Sequence, residues 1–117
     1  MVTIYHNPRC SKSRKTLQLL QENGVEPTIV EYLHEPPDAR RILELARLLG
    51  SGVAALLRRG EDEFRNATDL PELADDQALA AWLATHPRVL ERPIVVDNSG
   101  KRAVVGRPPE NVLKLLT

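Results

Sequence analysis

Apolar residues run together at Val2, Ile4 and Tyr5, and from Ser11 onward they fall at helical spacing instead. Thr3 to His6 therefore predicts a short strand. Ser11 to Asn23 predicts a helix with Leu17, Leu19 and Leu20 turned inward and Gly24 as its stop. Pro27 to Leu33 is β-branched and aromatic, which suits a second strand. Strand, helix and strand in about 33 residues make a βαβ unit, whose strands run parallel.

The middle of the chain is helical in pattern. Pro36 and Pro37 break it, Asp38 offers an N-cap, and Ile42, Leu45, Ala46 and Leu49 follow at helical spacing until Gly50. A short helix is expected over Val53 to Arg59. Asp75 can cap another helix that carries Leu79, Trp82 and Leu83 until Pro87. The polar stretch Gly60 to Asp69 reads as a loop or irregular turn. Strand character returns at Pro93 to Val96, Asp97 to Gly100 is a turn cluster, and Ala103 to Val105 completes a hairpin. Pro108 or Pro109 opens a last helix with Val112, Leu115 and Leu116.

The order β-α-β, helices, β-β-α fits an α/β thioredoxin-like fold. Its four-stranded mixed sheet would be interrupted by a helical insertion at about 37–91, within a single domain spanning 1–117. That plan puts a reactive cysteine at the first strand-to-helix junction, where Cys10 stands. It also puts a proline, commonly cis, just before the third strand, where Pro93 stands.

Composition narrows the class. Lys plus Arg and Asp plus Glu each number 16, so the formal charge is zero and a general nucleic-acid footprint is absent. No apolar run approaches the ~20 residues of a membrane helix, and no secretory pattern opens the chain. The expectation is a cytoplasmic monomer that associates with neither membrane nor nucleic acid.

The balance is local as well as global. Residues 1–21 hold Arg9, Lys12, Arg14 and Lys15 and no acidic residue. Cys10, the single cysteine, sits inside this anion-attracting patch at the start of a helix, whose unpaired N–H groups favour a negative charge. Thiolate is the nucleophilic form, so Cys10 is the candidate nucleophile. With Ser13 at the fourth position there is no C-x-x-C, and a resolving thiol must come from outside. Cys10 and Arg14 enclose only three residues, too few for a cysteine-phosphatase loop. One cysteine and the separated His6, His34 and His86 lack metal-ligand spacing, so no metal is expected. His6 either tunes the thiol or closes the strand, and Arg14 adds positive charge beside it. Arg92 and Arg107 each precede a proline, and Arg58 ends the short helix at Val53 to Leu57. Local pattern alone reads all three as structural or surface residues.

Five ordered blocks change that reading. They are Ile4-Tyr5-His6-Asn7-Pro8-Arg9-Cys10-Ser11-Lys12-Ser13-Arg14, Asn23-Gly24-Val25-Glu26-Pro27, Leu56-Leu57-Arg58, Glu91-Arg92-Pro93-Ile94-Val95-Val96 and Gly106-Arg107-Pro108-Pro109-Glu110. Together they resemble the ArsC family of glutaredoxin-coupled arsenate reductases, in particular its short chromosomal ArsC-like, YfgD-type members. The resemblance implies arsenate as substrate, Cys10 as nucleophile, His6 tuning the thiol, and Arg58, Arg92 and Arg107 binding the oxyanion. It further implies glutathione as co-substrate, glutaredoxin as partner and no bound cofactor. The chain departs from the longer arsenate-resistance members in stopping at Thr117 and in having Ser11-Lys12-Ser13-Arg14 where they carry Gly-Thr-Ser-Arg. Two other classes fit parts of the pattern: an Spx-like regulatory interaction module, and a general glutathione-linked thiol oxidoreductase without oxyanion preference. Ser13 removes the C-x-x-C switch usual in the first of these.

Overall fold

A computed structural model of the chain describes residues 1–116. It divides into two compact units, Met1–Glu35 with Arg92–Thr117, and Pro36–Glu91. Among the described residues no helix is long and apolar enough to cross a membrane.

The first unit holds β1 (Thr3–His6), α1 (Ser11–Glu22), β2 (Thr28–Glu31), β3 (Ile94–Val96) and β4 (Ala103–Val105). The four strands lie in the order β2-β1-β3-β4. β1 and β2 are parallel, with Thr3 opposite Thr28, while β3 is antiparallel to both β1 and β4. This is the mixed thioredoxin-like sheet that the order of elements predicts. Register places Ile4 beside Val95, and Val95 beside Val104. That apolar row belongs to a core cluster with Leu20 of α1, Val112 and Leu115, and Leu17 and Leu19 pack against it. The inward face of α1 is also more polar than periodicity suggests, because Ser13 and Thr16 are fully buried.

Two details of this unit differ from the pattern reading. β2 ends at Glu31, where His34 and Glu35 both return N–H bonds to Glu31 O, so Tyr32 and Leu33 lie in a turn. The closing helix, Pro109–Leu116, is of the tighter 3₁₀ type. Gly24 does end α1, at φ +79, a conformation that favours glycine.

The second unit packs α2 (Ala39–Leu48) and α4 (Asp76–Ala84) around Ile42, Leu45, Ala46, Leu79, Ala80 and Leu83. Asp38 and Asp75 cap them, accepting from Arg41 N–H at 2.8 Å and Ala78 N–H at 3.1 Å. The expected helix over Val53 to Arg59 is a 3₁₀ turn, Val53–Leu56, because Leu57 turns extended and bridges Leu90. The stretch expected to be irregular contains one helical turn, α3 (Asp62–Arg65), with an Asp62–Arg65 ion pair across it.

The β3–β4 turn hangs on Asp97, whose carboxylate accepts from Ser99 Oγ at 2.7 Å and Arg102 N–H at 3.3 Å. The Ser99 hydroxyl is the main cause holding this carboxyl below the ordinary carboxylate range. Burial opposes it, and the Arg102 and Lys101 N–H groups and the Arg102 charge assist. A depressed folded pKa gives stability that is complete above the unfolded value and is lost as pH falls through the folded one. Asp97→Asn is therefore expected to lower the urea midpoint at neutral pH. The gap from the parent protein should narrow below about pH 4, and a gap constant with pH would remove the carboxylate from this role.

Candidate functional site

The end of β1 and the start of α1 are joined by a loop that the chain ties to itself. Asn7 Oδ1 accepts from Arg9 N–H at 3.0 Å and Asn7 O from Cys10 N–H at 3.0 Å, a side-chain turn that fits Asn before Pro. Arg14 Nη1 donates to Pro8 O at 3.0 Å, clipping the loop to the first turn of α1. Cys10 then stands at the N-cap with extended φ and ψ, and Arg14 N–H makes the first helical bond to its carbonyl.

That first turn carries Lys12 and Arg14 and no acidic residue, and Lys15 follows directly. Cations there oppose the helix dipole, so the pattern disfavours the helix and favours an anion beside it. Cys10 is half-buried, and its sulfur is not a geometric cap of the helix. Its pKa nonetheless lies below the ordinary thiol value. Burial pushes it up, and this is outweighed by the Ser13 N–H, a hydrogen bond from the Arg92 side chain, the charge of Arg107, and the Lys12 N–H.

The guanidinium groups come from the far end of the chain. Arg107 Nη2 donates to Cys10 Sγ at 3.5 Å, and Arg107 Nε donates to Arg92 O at 2.8 Å. Arg107 is thus fixed to the backbone of Arg92. Arg92 and Arg107 both precede cis peptide bonds, to Pro93 and Pro108.

His6 is placed differently from a direct partner of the sulfur. Its Nδ1 lies 2.6 Å from Ser13 Oγ, which also accepts from Asn7 N–H at 3.1 Å. Burial, helped by Arg14 and opposed by Glu31, lowers the imidazole pKa, so the ring is neutral at neutrality. The cationic charge at the sulfur therefore comes from guanidinium groups, while His6 holds the turn whose N–H faces it. Ser13 is the residue that pattern reading missed, since its absent thiol drew the attention and its hydroxyl did not. The signal available was the placement of His6 at the strand end and Ser13 in the first helical turn, seven positions apart across the junction.

Arg58 stands in the second unit, just past Val53–Leu56, where its N–H donates to Val89 O at 2.6 Å. Its Nη1 donates to Glu91 Oε1 at 3.1 Å and its Nε lies 3.6 Å from Glu61 Oε1. The structure thus gathers Cys10, Arg92 and Arg107 in one unit with His6 and Arg14 bracing the loop, and gives Arg58 to two carboxylates. Among the described residues no group of three or more His, Cys, Asp or Glu could hold a metal ion.

The family model described as the ArsC family matches residues 5–115. The chain belongs to the ArsC family. It is 47% identical over 116 residues to the uncharacterized protein YfgD of Escherichia coli K12, covering 98% of this chain and 96% of that protein. It is 43% identical over 117 residues to an arsenate reductase of Neisseria meningitidis MC58, covering 98% and 97% of the two chains. Among solved structures, an arsenate reductase from Vibrio cholerae superposes with a TM-score of 0.85 at 42% identity, covering 97% of this chain and 96% of that one.

The acidity of Cys10 is directly measurable. The midpoint of iodoacetamide alkylation against pH is expected below the free-thiol value of about 8.5. Arg107→Ala and Arg92→Ala should each move it upward. A midpoint that neither substitution alters would dissociate the guanidinium groups from the sulfur.

Proposed function

We propose that this protein is a glutathione- and glutaredoxin-dependent arsenate reductase. The observation that carries the reading is the Arg107 guanidinium 3.5 Å from Cys10 Sγ, on a thiol already acidified by Arg92 and by helix N–H groups. A nucleophile under two cationic forks suits a tetrahedral oxyanion. Paired N–H groups neutralise the repulsion between thiolate and anion and stabilise charge as arsenic becomes five-coordinate.

In this reading the Cys10 thiolate attacks arsenate and an oxygen leaves as water or hydroxide, giving a thiol–arsenate adduct with no change of oxidation state. Glutathione displaces a second oxygen. The glutaredoxin thiolate then attacks the glutathione sulfur. The sulfur–arsenic bond breaks, its electron pair stays on arsenic, and arsenic(V) becomes arsenic(III) as the two sulfurs leave as a mixed disulfide. Water releases arsenite and restores Cys10. The sequence of steps needs two external thiols, which agrees with a chain holding one cysteine. In this reading the protein works in a reducing compartment, the cytoplasm, and acts as a monomer.

Arg58 remains the third oxyanion ligand in this proposal, on the family resemblance of Leu56-Leu57-Arg58. Its role is tested separately from that of the thiol.

The decisive assay is arsenite formation with glutathione and glutaredoxin, run beside reduction of a small disulfide. Cys10→Ser should abolish arsenite formation. Arg92→Ala and Arg107→Ala should each lower kcat/KM for arsenate by about 10²-fold or more while sparing the disulfide, and Arg58→Ala should raise KM for arsenate. Arsenite formation by the Cys10→Ser protein would end the proposal. Equal loss on both substrates in the arginine variants would point instead to a thiol oxidoreductase without oxyanion preference.

A further inference from the structure

Gly106 directly follows β4 and is buried, yet its φ lies outside the left-handed region. Conformation does not call for glycine at this position, but space does. A Cβ here would stand 2.5 Å from Thr16 Oγ1, 2.8 Å from Pro93 Cγ and 3.1 Å from Thr16 Cγ2. The first two distances are shorter than real Cβ contacts allow, so something must shift.

Neither neighbour yields easily. Thr16 is fully buried in α1, and its Oγ1 donates to Lys12 O at 2.8 Å. Pro93 is buried at the start of β3, and its carbonyl accepts from Gly106 N–H at 2.9 Å. Displacement therefore falls on the Gly106 backbone itself. The next residue is Arg107, whose Nη2 donates to Cys10 Sγ at 3.5 Å.

We propose that Gly106 is a positioning residue for the nucleophile. Its missing side chain lets the end of β4 close against Thr16 and Pro93, and that close approach sets the Arg107 guanidinium on the Cys10 sulfur. The seat joins α1, which presents the Lys12 and Ser13 N–H groups to the sulfur, to the Arg92–Pro93 segment that also holds Arg107 Nε. Arg92 and Arg107 are the cations acting on the thiol, and both backbones meet at this point. A Cβ at position 106 would part them by steric displacement without removing any charged group. The attraction between guanidinium and thiolate weakens as they separate.

This deepens the functional reading above and rests on it for the use made of the thiolate. The test is independent of substrate, because iodoacetamide alkylation reads Cys10 whatever its natural target. Gly106→Ala, its folding checked by circular dichroism and thermal melting, is expected to move the alkylation midpoint upward, most of the way to that of Arg107→Ala. In the Arg107→Ala background the same change should move it little further. Thr16→Ala alone should leave the midpoint near that of the parent. Gly106→Ala with Thr16→Ala removes the two threonine atoms from the clash, leaves the Pro93 Cγ contact, and should return the midpoint part of the way to the parent value.

A folded Gly106→Ala protein with the parent midpoint would overturn the proposal, as would shifts from Gly106→Ala and Arg107→Ala that add in full. If Gly106→Ala does not fold, the double variant carries the test, and a folded double variant with the Arg107→Ala midpoint overturns it. Absence of arsenite formation by the parent protein, with these midpoint shifts intact, would strike the substrate assignment and leave the role of Gly106 standing.

Discussion

A thiol at a helix start matters here because two guanidinium groups are brought to it across almost the whole chain. Arg107 and Cys10 are separated by 97 positions and meet at 3.5 Å. Burial alone would raise the pKa of Cys10, and the balance tips the other way only through the N–H groups of α1 and the two arginines. β3 and β4 deliver those arginines, so the sheet pairing that builds the core also determines the acidity of the sulfur.

The loop before α1 shows local stability set against function. Two cations in the first helical turn, Lys12 and Arg14, face a dipole end that repels them, and no acidic side chain there compensates. The loop holds its shape by other means: the Asn7 turn, the Arg14 clip to Pro8 O, and the buried Ser13 hydroxyl between His6 and Asn7. Each of these uses a polar side chain to which hydrophobic periodicity assigns no structural part. Together they leave the surroundings of the sulfur rich in positive charge.

Periodicity and turn chemistry were enough to read the order of elements, the two aspartate caps and the position of Cys10. Those features depend on neighbours close in sequence. The type of a short helix did not follow, since Val53–Leu56 and Pro109–Leu116 are set by how the next residues bond. The arginines were likewise invisible as a group. Arg92 and Arg107 look like ordinary surface residues until β3 and β4 pair, and only the block resemblance singled them out. His6 was legible as a residue beside the thiol but not as a neutral ring bonded to Ser13. Gly106 carried no signal, because a glycine needed for space leaves no mark in its own conformation.

The long span between sulfur and guanidinium has a consequence for how the protein is made. Chains are synthesised from the N-terminus, so Cys10 emerges long before Arg107. Until the second hairpin strand docks, that sulfur lacks its distant cations and retains more of the sluggishness of a free thiol. The acidity of the sulfur is thereby a property of the assembled fold, present only once both ends have met.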